Sequence, residues 1–195
     1  MSRLLVAAPM RIEAALISSA ARSAPVTKTG MGPHRARRSA RELPARTATG
    51  LLVLGFCGGL DECSVPGEVI VAEEVYAAAD ENHPEEPVSC DLHGQLLPRL
   101  TGLGMKVRSG RVVCVSKLAL GERRTELHEQ GAIAVDMESV WLAAGAAGRP
   151  FGVVRVVLDS PSHELMRVRA VGGALRAAAA LRRVAGALHD FTPAD

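Results

Sequence analysis

Four charged side chains stand where apolar stretches of this chain end or are interrupted: Glu13, Glu138, Arg155 and Asp159. Glu138 follows the short apolar run Ala132 to Val135 and falls in the first turn of the segment after it. The helix dipole favours a carboxylate at such a place, and its two oxygens can accept from two neighbouring hydroxyls. A vicinal diol, such as the 2′ and 3′ hydroxyls of a ribose, presents two such donors side by side. A helix-capping acid with no ligand is the plainer alternative. About twenty residues on, Arg155 interrupts an apolar strand that ends in Asp159. Charges embedded in such a strand point at a ligand or at each other, although a strand-end aspartate is also an ordinary turn residue.

The elements that must position these groups follow from the hydrophobic periodicity. Asp136 can cap a helix by accepting from its free N–H groups, and Met137, Val140, Trp141, Ala144 and Ala147 then recur at the spacing of a helix packed on a sheet. Leu4 to Ala8, Leu51 to Leu54, Val69 to Tyr76, Gly110 to Ser116 and Val153 to Asp159 are expected as strands. Glu13 lies just after the first of them, near the start of a segment with Ile12, Leu16 and Ala20 at helical spacing. Gly30-Met31-Gly32-Pro33 reads as a turn with Pro33 at the first helical position, followed by Ala36, Ala40 and Leu43 on one face and an arginine run on the others. The N–H groups of such a Gly-x-Gly turn can serve an anion or water. Glycines 55, 58 and 59 close the Leu51 strand and allow a ligand to approach the backbone closely. Residues 80 to 94 are polar and expected as an exposed loop, Ser116 to Gln130 carries a short helix, and Ala174, Ala177, Leu181, Val184 and Leu188 mark a final covering helix.

With 195 residues, 48% of them hydrophobic, the chain is long enough for one domain with a self-sufficient core. Aromatics make up only 3%, so Val, Leu, Ala and Ile must build that core, which suits a buried sheet under Ala-rich helices. A net charge of +2 with no RNA-binding aromatic signature makes no case for nucleic acid. Cys57, Cys63, Cys90 and Cys114 are scattered without a CxxC and read as reduced thiols of a cytoplasmic protein. His83 and His93 lack a spaced partner set, so no metal is assigned. No apolar run is long enough for a membrane span.

Ala134-Val135-Asp136-Met137-Glu138-Ser139 followed by Val153-Val154-Arg155-Val156-Val157-Leu158-Asp159 resembles the signature of the nucleoside phosphorylase and nucleosidase superfamily, which cuts the N-glycosidic bond of nucleosides. That resemblance implies an α/β fold: a single-domain, three-layer αβα structure of the phosphorylase/hydrolase type, with a mixed and partly curled central sheet. Cleavage builds positive charge on the ribose and negative charge on the departing base. In the implied roles, Asp159 is the acid that protonates the base, Glu13 the base that activates water, and Glu138 the clamp on the ribose diol. Met137 packs on the sugar, and Arg155, Gly32 and Gly58 belong to the binding site. Leu158 stands where the family has a serine, so the orienting partner of Asp159 must be another group, with Ser160 a candidate. Phe56 and Cys57 occupy the loop from which phosphorylases bring a serine to phosphate.

The retained Glu13 and the missing loop serine favour a hydrolase, with no cofactor. A phosphorylase remains the alternative if Arg155 and the glycine turns bind phosphate. Gly30-Met31-Gly32-Pro33 with Gly55 to Asp61 looks most like the hopanoid-associated branch, whose implied task is release of adenine from adenosylhopane. Futalosine or methylthioadenosine/adenosylhomocysteine hydrolysis, and a non-catalytic nucleoside-binding protein, stay open. The implied partners are a small-molecule nucleoside and a second copy of the chain in a homodimer. Contact with a membrane surface enters only if the substrate is a lipid.

Overall fold

The computed structural model of the protein describes residues 4–21, 24–43, 47–79, 86–162, 170–188 and 190–193. His83, named above, lies outside them. The described chain runs β1 (Leu4–Ala8), α1 (Arg11–Ala20), β2 (Val26–Lys28), α2 (Pro33–Glu42), β3 (Gly50–Gly59), β4 (Val69–Ala77), β5 (Val88–Ser89), α3 (His93–Gly102), β6 (Val107–Cys114), α4 (Glu122–Glu129), β7 (Ala132–Asp136), α5 (Ser139–Ala143), β8 (Phe151–Asp159) and α6 (Ala170–Ala187).

The strands form one mixed sheet that curls until it meets itself. β3 pairs in parallel with β8, β8 antiparallel with β4, β4 in parallel with β6, β6 in parallel with β7, and β7 antiparallel with the end of β3. β1 and β2 extend the sheet outward from β3, all in parallel. The closure falls on Gly58 and Gly59, which pair with Val135 and Ala134. At the same place the β3–β8 register slips between Cys57 and Gly58 and sets Asp159 opposite Gly58. One glycine is therefore flanked by the ends of two strands. Such an irregularity re-aims side chains, and both strands end here in carboxylates, Asp136 and Asp159.

Helices cover the sheet on both sides. α1, α3 and α6 pack Ile17, Leu96, Leu100, Leu181 and Val184 against one face, while α2 and α5 pack Ala36, Val140, Trp141 and Leu142 against the other. The expected layers are therefore present. Several local readings change. On α1 the inward residues are Glu13 and Ile17, while Ile12 is 60% exposed. α5 has five residues and gives way to a 3-10 turn at Ala144–Ala146, with Ala147 left-handed at φ 50°, so the long helix from Met137 to Ala147 does not form. Met137 and Glu138 precede it, with Glu138 at the N-cap position and no capping bond from its side chain. The polar stretch read as a loop to residue 94 contains β5 and the start of α3.

Candidate active site

Glu13 is fixed from both sides. Its Oε2 accepts the N–H of Met10 at 2.6 Å, the reach of a third-position carboxylate back to the start of its own helix. Its Oε1 accepts the N–H of Phe56 on β3, also at 2.6 Å. The side chain is buried at 1% exposure, and that burial raises its pKa despite the nearby Arg155 charge and the two N–H bonds. A carboxylate with a raised pKa in a cavity wall can take a proton near neutral pH.

Glu138 faces the same cavity. Its Oε1 accepts the N–H of Gly32 at 2.9 Å, and its Oε2 stands 3.6 Å from Nη2 of Arg155. Gly32 has φ 84°, a conformation that favours glycine, and this turns its N–H toward the carboxylate instead of toward a ligand. Burial pushes the pKa of Glu138 up to about 7, Arg155 opposes the rise, and Asp136 adds to it.

Asp136 forms the floor, with Arg155 behind it. Nη2 of Arg155 meets Oδ2 of Asp136 at 2.6 Å and donates to the Ser139 hydroxyl at 2.9 Å, with Nη1 on the Phe56 carbonyl at 3.4 Å. Ser139 in turn donates to Oδ2 of Asp136. Oδ1 of Asp136 accepts the N–H groups of Glu138 and Ser139 and the thiol of Cys114. The capping read from the sequence is thus present, and it is only part of what Asp136 does. Burial acts to raise this carboxyl, but the Arg155 charge, the Cys114 thiol, the Ser139 hydroxyl and the Glu138 N–H together outweigh it and keep Asp136 below its ordinary range.

Asp159, at the end of β8, is held by a group that the sequence did not mark. Nη2 of Arg124 on α4 lies 2.7 Å from its Oδ2, and both side chains are buried. Ser160, the expected orienting group, donates its hydroxyl to the Ser64 carbonyl.

A cavity of about 180 Å³ is lined by Glu13, Gly58, Met137, Glu138 and Asp159, with Asp136 below and Pro9, Met10, Met31, Phe56, Leu118 and Leu158 forming apolar walls. Five of the seven residues read as site residues therefore meet on one cavity. Gly32 and Arg155 do not line it; both stand behind Glu138 and are bonded to it or to Asp136. No lysine, arginine or hydroxyl side chain is among the described residues that line it. Asp136 and Arg124 are the two charged residues of the site that sequence reasoning left out. Asp136 could have been found from the motif that contains it. Arg124 sits in the polar run Glu122-Arg123-Arg124, where nothing in the spacing separates it from its neighbours.

Residues 13–186 match the family model described as the phosphorylase superfamily. No curated protein matches the chain. Among solved structures, the fold is similar to that of the 5′-methylthioadenosine/S-adenosylhomocysteine nucleosidase of Neisseria meningitidis in complex with methylthio-immucillin-A. The TM-score is 0.82 at 17% identity, over 98% of this chain and 100% of that one. It is also similar to S-adenosylhomocysteine nucleosidase of Streptococcus pyogenes, with TM-score 0.76 and 17% identity over 95% and 96% of the two chains. Futalosine hydrolase of Helicobacter pylori gives 0.75 and 15% over 96% and 94%.

Proposed function

Because the chain belongs to the phosphorylase superfamily, we propose that it is a nucleosidase, cleaving the N-glycosidic bond of an adenine nucleoside with water as the nucleophile. The observation that carries this reading is the polarity of the cavity: carboxylates and apolar groups line it, and its two arginines are engaged by carboxylates behind or beside it. Phosphate needs several charge-assisted donors. Here it would meet carboxyl oxygens and apolar groups in place of donors, and each carboxylate that is ionised would repel it by roughly 4 kcal/mol per unit-charge pair at ~4 Å and an effective dielectric constant of ~20. A sugar developing positive charge gains from the same surroundings.

In this reading Glu13 takes a proton from the attacking water, Glu138 holds the ribose diol, Met137 packs on the sugar, and Asp159 protonates the base as the C–N bond breaks. The bond electrons leave with the base, and the water oxygen bonds to the sugar carbon. Met31 and Leu118 line the cavity while remaining 47% and 64% exposed, and Ile12 beside Glu13 is 60% exposed. Apolar side chains in water at a cavity mouth suit an apolar five-prime group, in keeping with adenosylhopane as substrate. Among the described residues no helix is long and apolar enough to cross a membrane. In this reading the lipid is met at a membrane surface by a cytoplasmic homodimer. A smaller apolar group, as in methylthioadenosine, is the second reading, favoured by the similarity to nucleosidases of that name.

The test is base release in phosphate-free buffer from adenosine derivatives with short and long five-prime groups. Release should occur without phosphate, should not rise on its addition, and should leave a free sugar hydroxyl. Glu13→Gln should lower kcat by about 10²–10⁴-fold with little change in nucleoside affinity. A sugar 1-phosphate product would overturn the hydrolase reading.

A further inference from the structure

α4 is a polar helix, Glu122-Arg123-Arg124-Thr125-Glu126-Leu127-His128-Glu129, and only Arg124 and Leu127 are buried on it. Burying a guanidinium costs several kcal/mol unless its donors are well placed. Those of Arg124 are. Nε donates to the Ala119 carbonyl at 2.9 Å, Nη1 to the Gly59 carbonyl at 3.3 Å, and Nη2 to Oδ2 of Asp159 at 2.7 Å. Two carbonyls from separate segments fix the plane of the fork, so Arg124 is set in place independently of the carboxylate it meets. The pair also leaves no slack. A Cβ on Gly58 would come within 3.3 Å of both Nη2 of Arg124 and Oδ1 of Asp159. A recess of about 40 Å³ between Arg124, Ala119 and Asp159 adjoins the main cavity and shares Gly58 and Met137 with it.

We propose that Arg124 is the positioning residue of the base-protonating acid: it occupies Oδ2 of Asp159, so that the proton is carried on Oδ1 and delivered from there, and it neutralises the carboxylate left behind. The proposal rests on the hydrolase reading for the identity of the step. In that step the Oδ1–H bond breaks, an N–H bond forms on the purine, and the C–N bond electrons pass to the purine. The proton lost by the attacking water goes to Glu13, and solvent later returns one to Asp159. Arg124 takes no proton. It makes Asp159 a better donor by stabilising the product of donation, and it does the work of the serine hydroxyl that Leu158 lacks.

Removing Arg124 should therefore cost base release only where Asp159 is present to be positioned. Among the described residues, the other titratable groups facing that space are Asp136 from β7, Glu138 at the start of α5, Glu13 from α1 and Cys57 from β3. They are unchanged in Arg124→Met, so a loss that vanishes in the Asp159→Asn background reports on the pair.

The experiment measures adenine affinity by calorimetry, and base release, from pH 5 to 9 in wild type, Arg124→Met, Arg124→Lys, Asp159→Asn and the double variant Arg124→Met/Asp159→Asn. Arg124→Met should lower kcat at neutral pH by about 10²-fold, with a smaller change in KM, and should weaken adenine binding. Arg124→Lys keeps the charge and should recover part of both. In the Asp159→Asn background, Arg124→Met should add less than about a twofold change, because residues in contact that act through one another are not additive. The double variant carries neither buried charge and stays informative if the single one unfolds. An unchanged kcat and adenine affinity in folded Arg124→Met, or an equal loss with and without Asp159, would overturn the proposal. The adenine-affinity profiles judge it even if wild type releases no base, an outcome that would remove the hydrolase reading alone.

Discussion

At the scale of single residues, the candidate site gathers carboxylates that share a space but not an environment. Glu138 is raised to about 7, chiefly by burial, while for Asp136 two residues earlier the opposing Arg155 charge and hydrogen bonds outweigh burial and lower it. An ionised Glu138 accepts from both hydroxyls of a diol, and the protonated form accepts less well. Ribonucleoside affinity should therefore rise with pH through about 7, and calorimetry should find this dependence absent in Glu138→Gln and weak for a 2′-deoxy substrate. A pH-independent affinity in wild type would return Glu138 to a purely structural role. Glu13, Glu138 and Asp159 were legible in the sequence because each is an acid at the edge of an apolar run, with motifs around two of them. Arg124 was not, because its distinction from Arg123 is burial alone, 3% exposure in a helix whose composition gives no inward face.

At the scale of elements, β3 carries the site more than any helix does. It supplies the Phe56 N–H to Glu13, the Phe56 carbonyl to Arg155, and Gly58 to the junction of β7 and β8. Gly55 is required by close approach: its Cβ would lie 2.8 Å from Cδ of Glu13 and 2.9 Å from Nη1 of Arg155. Gly55→Ala should therefore displace Glu13, cost about 1–3 kcal/mol of stability as overpacking does, and lower kcat more than it raises KM. Denaturant melts and steady-state kinetics on the same preparation check both parts. The long apolar strands were readable from composition because they are buried on both faces. β2 was not, having three residues and no alternation. α3 was hidden by Pro98 inside it, which removes a helical N–H, and by an apolar stripe reduced to Leu96 and Leu100. α5 was overextended because its stripe of apolar residues continues through Ala144–Ala146, where the chain tightens into a 3-10 turn instead.

At the scale of the whole molecule, the curled sheet closes around one buried ion pair. Arg155, fully buried in the middle of β8, meets Asp136 at the end of β7, and those strands bond to β3 on its two sides. The overall layers and the mixed sheet were legible through the family resemblance, but the closure was not, since no local pattern records that a strand pairs at both of its edges. The charges inside the closure act on stability with opposite signs. Asp136 is depressed, so its contribution is present above the unfolded carboxylate value of ~3.9 and is lost as pH falls through its lower folded value. Glu13 and Glu138 are raised, so theirs is present at acid pH and is lost as pH rises through their folded values, about 7 for Glu138. The free protein should therefore melt higher at pH 6 than at pH 8, and Glu138→Gln should shrink that difference. Asp136→Asn removes the partner of Arg155, a change that costs about 3–5 kcal/mol when a buried pair is broken. Glu138, 3.6 Å from Arg155, is left to take over the pairing and loses the repulsion of Asp136. The loss should thus fall toward the lower end, about 3 kcal/mol, or roughly 6–12 °C in Tm, while the midpoint of pH-dependent ligand affinity moves below 7. Thermal melts of the two variants across pH 5 to 8 decide it. A Tm fall in Asp136→Asn with the affinity midpoint left in place would mean that Glu138 does not sense Arg155, and the coupling between strand closure and site would have to be abandoned.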